Sequence, residues 1–314
     1  MRVIPYAAMA FLPSSRLTAA AFCVCCPPPS SSPSSLHCAP LRQTSSSSSP
    51  SPPLPHDTHN HLHTSTSDLG ALPPSSLMSL CLSTTDELLI RGAASPAPSP
   101  HVFGIGLHPW KVSLDSVSSV DGLREKALAL VEKGRRSSLL LMAGETGLDF
   151  SMLKRLPPPE REAHKAAQLS CLSVLASLRL PLSLHCVKCD VDLRSALSGV
   201  FNEHEPPAFL VLHGYSFKDV GAWLKWSDRV GVPVYFGVCG RHVSTKVDLN
   251  ALASQHPVLR ERLLLESDSL SLETWEGEMA QGIDMVEGID WTANWRVCAD
   301  VLERERAQAN QSQS

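Results

Sequence analysis

Asp57-Thr-His59-Asn-His61, Gly144-Glu145, His185, His213 and Asp268 form an ordered series of imidazoles and carboxylates along a chain of 314 residues. These side chains bind divalent cations such as magnesium, manganese and zinc. Bound cations acidify water and neutralise charge on an attacked ester, so the implied chemistry is metal-assisted hydrolysis, best matched to phosphodiesters. Each group stands where a short apolar run ends, and helix-like or loop segments separate the runs. A (β/α)8 barrel needs that order to gather ligands at the C-terminal ends of its strands.

His59 and His61 are two residues apart, so on extended backbone both imidazoles share a face. Alone the pair is weak evidence, because His56 and His63 beside it also suit an ordinary polar loop. Glu145 follows the apolar run Leu139–Ala143, where a carboxylate can bridge two cations; the competing reading is a helix-capping Glu. Asp149 reads as a structural hydrogen-bonding residue rather than a ligand. His185 ends Pro181-Leu-Ser-Leu-His185, and His213 ends Ala208-Phe-Leu-Val-Leu-His213. Asp268 lies just past Leu263–Leu265, and Glu266 is placed to orient a ligand. Successive gaps from Glu145 to His185, His213 and Asp268 are about 40, about 28 and about 55 residues. A strand–helix–strand unit takes roughly 30 or more, so these groups fit the fourth, fifth, sixth and eighth strands.

The elements that must position them can be read from the same pattern. Apolar runs at Leu77–Leu82, Val102–Leu107, Leu139–Ala143, Pro181–Leu184, Ala208–Leu212, Val232–Val238 and Leu263–Leu265 have the length of buried parallel strands. A short first strand at His56–His59 makes eight. Amphipathic segments at Gly122–Lys133, Pro159–Leu178, Asp192–Phe201, Lys218–Trp226 and Trp291–Gln308 predict helices. The fold expected is therefore α/β, a TIM barrel of about 250 residues. Its first quarter fits least well. Gly70, Pro73 and Pro74 leave the first helix short or missing, and Pro52, Pro53 and Pro55 precede the first strand.

Residues 1–53 have a different composition. Ser/Pro runs and the lack of any Asp or Glu before Asp57 predict a disordered extension, with Arg2, Arg16 and Arg42 in the manner of a transit peptide. The expected domain is 54–308, with a disordered tail at 309–314. Ten cysteines are split between the extension (Cys23, Cys25, Cys26, Cys38) and scattered positions, without a disulfide framework. A cytoplasmic location is expected, or a mitochondrial one if the extension is a transit peptide. No apolar run reaches membrane-span length. The net charge of −4 excludes a globally basic nucleic-acid surface. No Gly-x-Ser-x-Gly elbow supports a serine hydrolase.

Across about 54–308 the chain resembles the TatD-like metal-dependent hydrolases, the TatD-related deoxyribonucleases. The matching motifs are Asp57-Thr-His-Asn-His61, Gly104-Ile-Gly-Leu-His-Pro-Trp110, Gly144-Glu-Thr-Gly-Leu-Asp149, Arg161-Glu with Gln168, Leu184-His-Cys186, His213 and Glu266-Ser-Asp268. The resemblance implies one metal on His59, His61, Glu145 and Asp268, and another on Glu145, His185 and His213. It places His108 near the substrate phosphate and Asp268 as general base. It also implies two divalent ions, Mg2+ foremost with Zn2+ or Mn2+ as substitutes, and DNA, as ends or single strands, as substrate for 3′–5′ exonuclease activity. A monomer is expected.

Several motifs depart from the family pattern. Cys186-Val-Lys-Cys189 stands where His-Cys is usually followed by Arg-Asp, His213-Gly-Tyr-Ser216 replaces His-Cys-Phe-Ser, and Ser269-Leu-Ser-Leu replaces Pro-Tyr-Leu. These changes bear on substrate choice and rate, and leave every ligand in place. Cys186 and Cys189 also have the spacing of a redox or zinc half-motif, though a lone pair is weak. Trp110 and Tyr215 could stack a base at the barrel mouth. Two other readings keep the barrel: an amide or ester hydrolase of the amidohydrolase type, in which a modified Lys often stands where Glu145 does, or a catalytically weak binding scaffold.

Overall fold

The computed structural model describes residues 56–311 apart from 65–68, 70–71, 73–75, 83–84, 95–100, 113–119 and 244–246. The expected N-terminal extension and its cysteines lie outside the described residues. Seven parallel strands follow one another in sequence order: β1 Leu77–Cys81, β2 Val102–Gly106, β3 Leu140–Asp149, β4 Leu182–Val187, β5 Leu210–His213, β6 Val234–Val238 and β7 Leu263–Leu265. Nearly every strand residue with described burial is buried, as expected for a sheet covered on both faces.

The edges of this sheet meet through the segment 57–60. Thr58 N donates to Leu265 O at 2.9 Å on one side, and Asn60 N donates to Leu77 O at 3.0 Å on the other. Ser79 N returns a bond to Asn60 O at 3.0 Å. The eighth strand expected at His56–His59 is therefore corrected to a one-residue bridge, Asn60 to Met78, that closes the α/β barrel. It cannot lengthen downstream because a 3-10 turn, Leu62–Thr64, begins at once. That turn is the described part of the short first helix.

Helices cover the outside: α1 Thr85–Ala93, α2 Val120–Arg136, α3 Phe150–Leu153, α4 Pro158–Ala176, α5 Asp190–Glu203, α6 Val220–Val230, α7 Leu249–Gln255, α8 Leu272–Asp284 and α9 Trp291–Gln311. The α4 helix starts on Pro158 with Glu160 in its first turn, where a missing N–H costs nothing and a carboxylate suits the dipole. α6 stops at Gly231, whose φ of 72° a side chain would disfavour. α1, α3, α7 and α8 go beyond the helices expected. α9 continues past the expected end at 308. None of the helices among the described residues is long and apolar enough to cross a membrane.

Two large apolar clusters result, beside a small third around Val112, Ala167 and Cys171. The larger lies between strands and helices, around Ile105, Leu148, Leu184, Leu212 and Phe236. The other fills the barrel near the strands' N-terminal ends, with Leu77, Val102, Leu140, Met142, Phe209, Val211, Tyr235 and Leu264 packed on Trp295, Cys298 and Leu302 of α9. Side chains alternate faces along a strand, so positions two residues beyond Leu77, Val211 and Leu264 also face the interior. They are Ser79, His213 and Glu266.

Candidate metal centre

Glu145 is the hub of this polar layer. It sits inside β3, beside a register shift between Ala143 and Thr146, and is 2% exposed. A side chain at Gly144 would place its Cβ 2.3 Å from Ser183 O, so only glycine lets the strands approach here. Ser79 Oγ accepts from Glu145 N at 3.0 Å and anchors the turn of the chain. Around the carboxylate stand His59 Nε2 and His61 Nε2, each at 3.5 Å, and His108 Nε2 at 3.3 Å. His185 Nδ1 lies at 2.7 Å and His213 Nε2 at 3.7 Å. Asp268 Oδ1 closes the ring, 3.4 Å from His61 Nε2 and 3.7 Å from His213 Nε2. Three sets of donor atoms lie within ion-binding reach of one another: His59, Glu145 and His213; His59, His61 and Asp268; His108, Glu145 and His185.

The partners of each ring decide what its other nitrogen can do. His61 Nδ1 faces the Ser79 carbonyl at 3.3 Å, so in the neutral ring the proton sits on Nδ1 and the lone pair of Nε2 faces Glu145 and Asp268. His59 is fully buried, with Nδ1 on Ser183 Oγ at 3.2 Å and no hydrogen-bond partner for Nε2. A buried ring nitrogen without a partner is costly, and a cation beside Glu145 would satisfy it. The donor set therefore fits divalent ions. His108 differs. Its Nδ1 accepts the Trp110 backbone N–H at 3.0 Å, so the neutral ring carries its proton on Nε2. That proton points at Glu145 Oε1, 3.3 Å away, although the distance alone would admit His108 as a ligand.

A clasp of donors holds the first histidine segment. Buried Asp57 accepts from Ser267 N (3.1 Å), Ser267 Oγ (2.8 Å), Trp275 Nε1 (2.8 Å), Asn60 Nδ2 (3.0 Å) and His59 N (3.2 Å). Asp268 adopts a left-handed φ of 52°, an unfavourable backbone held by its N–H on His59 O. Its second oxygen, Oδ2, lies 2.7 Å from His242 Nε2, on the loop after β6. Glu266 is fully buried, accepts a short bond from Gly214 N, and lies 3.2 Å from His213 Nδ1. Gly237 leaves it room, since a Cβ there would meet Glu266 Oε2 at 2.1 Å. Asp149 Oδ2 receives both His185 Nε2 (3.2 Å) and Trp110 Nε1 (2.7 Å).

Electrostatics follow from this crowding. Burial alone would raise the Glu145 pKa, but His108 and His213 hold it well below the usual carboxylate range. Asp268 is likewise driven down, against its burial, by His213, His242 and His61. Burial would lower His185, yet Asp149 and Glu145 push it up to about 10. His213 falls to about 4, chiefly by burial. Burial raises Glu266 to about 7. The centre thus keeps ionised carboxylates beside imidazoles, and a cation would compete with protons at those whose pKa is raised, His61 and His185.

The structure brings His59, His61, Glu145, His185, His213 and Asp268 into one cluster, with His108 at its edge. Asp149 plays the structural part expected, through His185. Tyr215 is fully buried, with its hydroxyl on Asp190 Oδ1 at 2.7 Å, so it cannot offer a ring to a base; the apolar wall of Phe217 and Phe236 claims it. Cys186 and Cys189 are free, buried thiols 3.7 Å apart at sulfur. Contact with Cys189, together with burial, raises the Cys186 pKa, which suits an unreactive thiol. Sequence reasoning overlooked Ser79, Ser183, His242 and the role of Asp57. Ser79 carried a signal, as an inward polar residue in an apolar strand; His242 carried only its place after Val232–Val238.

A family model described as TatD related DNase matches residues 56–285. Among curated proteins no sequence matches. Among solved structures, the chain is similar to a TatD homologue from Escherichia coli K12, at 21% identity over 81% of this chain and 93% of that one, with a TM-score of 0.46. It is also similar to a TatD family hydrolase from Entamoeba histolytica, at 20% identity over 68% of this chain and 73% of that one, TM-score 0.48. A phosphotriesterase homology protein from Escherichia coli, complexed with phosphate in its active site, matches at 13% identity over 83% of this chain and 93% of that one, TM-score 0.41.

Proposed function

The chain belongs to the TatD-related DNase family, and from that premise we propose that it is a divalent-metal-dependent phosphodiesterase that removes nucleotides from the 3′ ends of DNA. The observation that carries this reading is the fully buried Nε2 of His59, which makes no hydrogen bond and lies 3.5 Å from Glu145 Oε2 in a cluster of ligand-type side chains. His59, His61, Glu145 and Asp268 would hold one ion, and Glu145, His185 and His213 a second. Mg2+ is the working metal of this proposal, with Mn2+ or Zn2+ able to replace it. When bound, such ions acidify a water and offset charge on the phosphate.

The chain's own residues divide the remaining work. Asp268 is the proton acceptor of this proposal, because its Oδ1 faces the cluster while His242 Nε2 holds Oδ2 at 2.7 Å. His108 donates from Nε2 to a non-bridging phosphate oxygen. Asp149 orients His185, and Glu266 supplies a charge 3.2 Å from His213 Nδ1. Glu145 in place of a modified lysine favours phosphodiesters over the amides and esters of related barrels.

The test is cleavage of labelled single- and double-stranded DNA by the purified protein with Mg2+, Mn2+ or chelator, beside Glu145→Ala and Asp268→Asn. Metal-dependent shortening from the 3′ end, lost in both variants, is the expected result. Two bound metals without cleavage of any phosphodiester would overturn it and favour the scaffold.

A further inference from the structure

The loop after β6 supplies no metal ligand, yet three of its side chains converge on the dipeptide Ser267-Asp268. Cys239 Sγ donates to Ser267 O at 3.2 Å. The Arg241 guanidinium reaches Ser267 O at 3.4 Å and also the Asp268 carbonyl, and Glu278 Oε1 braces it at 3.4 Å. His242 Nε2 lies 2.7 Å from Asp268 Oδ2. The loop is itself a tight turn, closed by His242 N on Cys239 O at 3.0 Å. Room for the imidazole comes from Gly214, which stands where the family pattern has Cys. A Cβ at Gly214 would lie 3.2 Å from His242 Cδ2, tighter than an ordinary contact. The two oxygens of Asp268 therefore have different neighbours. Oδ1 is 3.4 Å from His61 Nε2 and 3.7 Å from His213 Nε2, within the ligand cluster, whereas Oδ2 is held by a residue outside it.

We propose that His242 is a positioning residue that keeps Asp268 a one-oxygen ligand. Carboxylates hold divalent ions through one oxygen or through both. An ionised carboxylate only accepts hydrogen bonds, so His242 carries its proton on Nε2 and donates it to Oδ2. A charge-assisted bond of that length is strong. With Oδ2 so engaged, Asp268 offers only Oδ1, and one place on the ion stays open to water, as a hydrolytic centre requires. The backbone agrees: Asp268 has a left-handed φ of 52°, a conformation that persists where its surroundings over-determine it, and Arg241 bonds its carbonyl. This rests on the metal-dependent reading above and goes beyond it by giving a part to a loop without ligands. The imidazole is 40% exposed, so its removal opens no cavity in the apolar core.

The test uses Mn2+, whose effect on water-proton relaxation reports the waters on each bound ion and needs no turnover. Wild type, H242A and H242Q are compared, with Mn2+ affinity, kcat and KM for a labelled oligonucleotide measured alongside. In H242A the relaxation enhancement per bound ion should fall, because the freed Oδ2 replaces a water. Mn2+ should bind at least as tightly as in the wild type, while kcat drops about 10- to 100-fold with little change in KM. H242Q, whose amide can still donate to Oδ2, should recover most of the relaxation and the turnover. A histidine that merely supports a ligand predicts the reverse: Mn2+ affinity falls about 10- to 100-fold and relaxation per bound ion stays as it was. That result, or an H242A indistinguishable from the wild type, overturns the one-oxygen assignment and leaves the metal-dependent hydrolase standing. A wild type that binds Mn2+ and cleaves nothing overturns the phosphodiester reading alone, and the relaxation comparison still decides the part of His242. Failure of the wild type to bind Mn2+ overturns both.

Discussion

The two ends of this barrel are built from the same strands and the same interior-facing positions, yet they do opposite work. Near the strand starts, Leu77, Val102, Phe209, Val211, Tyr235 and Leu264 fill the interior, and α9 closes it with Trp295, Cys298 and Leu302. Two residues further along the same strands, the side chains become Ser79, His213 and Glu266. One end is close-packed hydrocarbon, which stabilises by removing apolar surface from water. The other collects carboxylates and imidazoles whose desolvation no packing offsets, and it is stable only through reciprocal hydrogen bonds and the cations it would bind. Stability and chemistry are thus separated by about two residues of rise along a strand.

The largest expected effect tests that separation. Glu145→Gln keeps the shape of the hub and removes its charge. Metal binding should fail and hydrolysis should drop about a thousandfold or more, since charge stabilisation by the ions supplies several kcal/mol. The apparent melting temperature without added metal should change little. Metal content by mass spectrometry and a turnover assay read the first part; a variant that retains both metals and activity would remove Glu145 from the hub. The complementary change is Phe209→Ala. Phe209 is 1% exposed and packs edge-on against Tyr235 at 5.7 Å. Its loss should cost about 3–5 kcal/mol in chemical denaturation, with activity per folded molecule unchanged. An equal loss of turnover would mean that the two ends are not independent.

Asp57 sharpens the comparison because it sits at the polar end and behaves as scaffold. Five donors from three segments converge on one buried carboxylate. Asp57→Ala leaves them unpaired, at a cost of about 2–4 kcal/mol. It should also release the segment carrying His59 and His61, so that stability and metal affinity fall together. Equilibrium unfolding beside metal titration checks this; full metal affinity in a destabilised protein would show that the clasp does not position the histidines.

Much of this architecture could be read from residues alone, and the exceptions have physical causes. Buried parallel strands advertise themselves as apolar runs, so β1–β7 fall where Leu77–Leu82 through Leu263–Leu265 predict them, most shifted by a residue or two at their ends and β4 by three. β3 extends well past the apolar run Leu139–Ala143, through the functional Glu145 to Asp149, because ladder bonds to β4 continue beyond the bulge. The barrel's closing segment is less visible: its bonds come from Thr58 and Asn60, which carry no apolar signature. α7 and α8 went unforeseen because α7 is short, capped only by Asp248 on Ala251 N, and α8 mixes Glu273, Glu276 and Glu278 with Trp275 and Met279. At the site, ligand types and order marked the cluster, but only the folded geometry could give the His108 contact with Trp110 N, the exposure of Trp110 or the burial of Tyr215.

The smallest effect belongs to the apolar end and concerns a charge out of place there. Glu305 of α9 lies among Arg135, Leu139, Leu141, Leu180 and Leu302, and burial raises its pKa to about 7, with Arg135 opposing. A carboxyl whose folded pKa exceeds its unfolded value favours folding most while it is protonated in both states. Its ionisation therefore costs stability as pH rises from about 4.5 to about 7 and adds nothing further above that. Glu305→Gln should accordingly match the wild type near pH 4. By pH 8 it should be more stable by about 1 kcal/mol, the full shift being discounted for partial solvent access. Denaturant midpoints at the two pH values read the difference. An advantage of the variant that is the same at both would assign the effect to packing rather than charge, and the apolar end would then tolerate the carboxylate as readily as the polar end does.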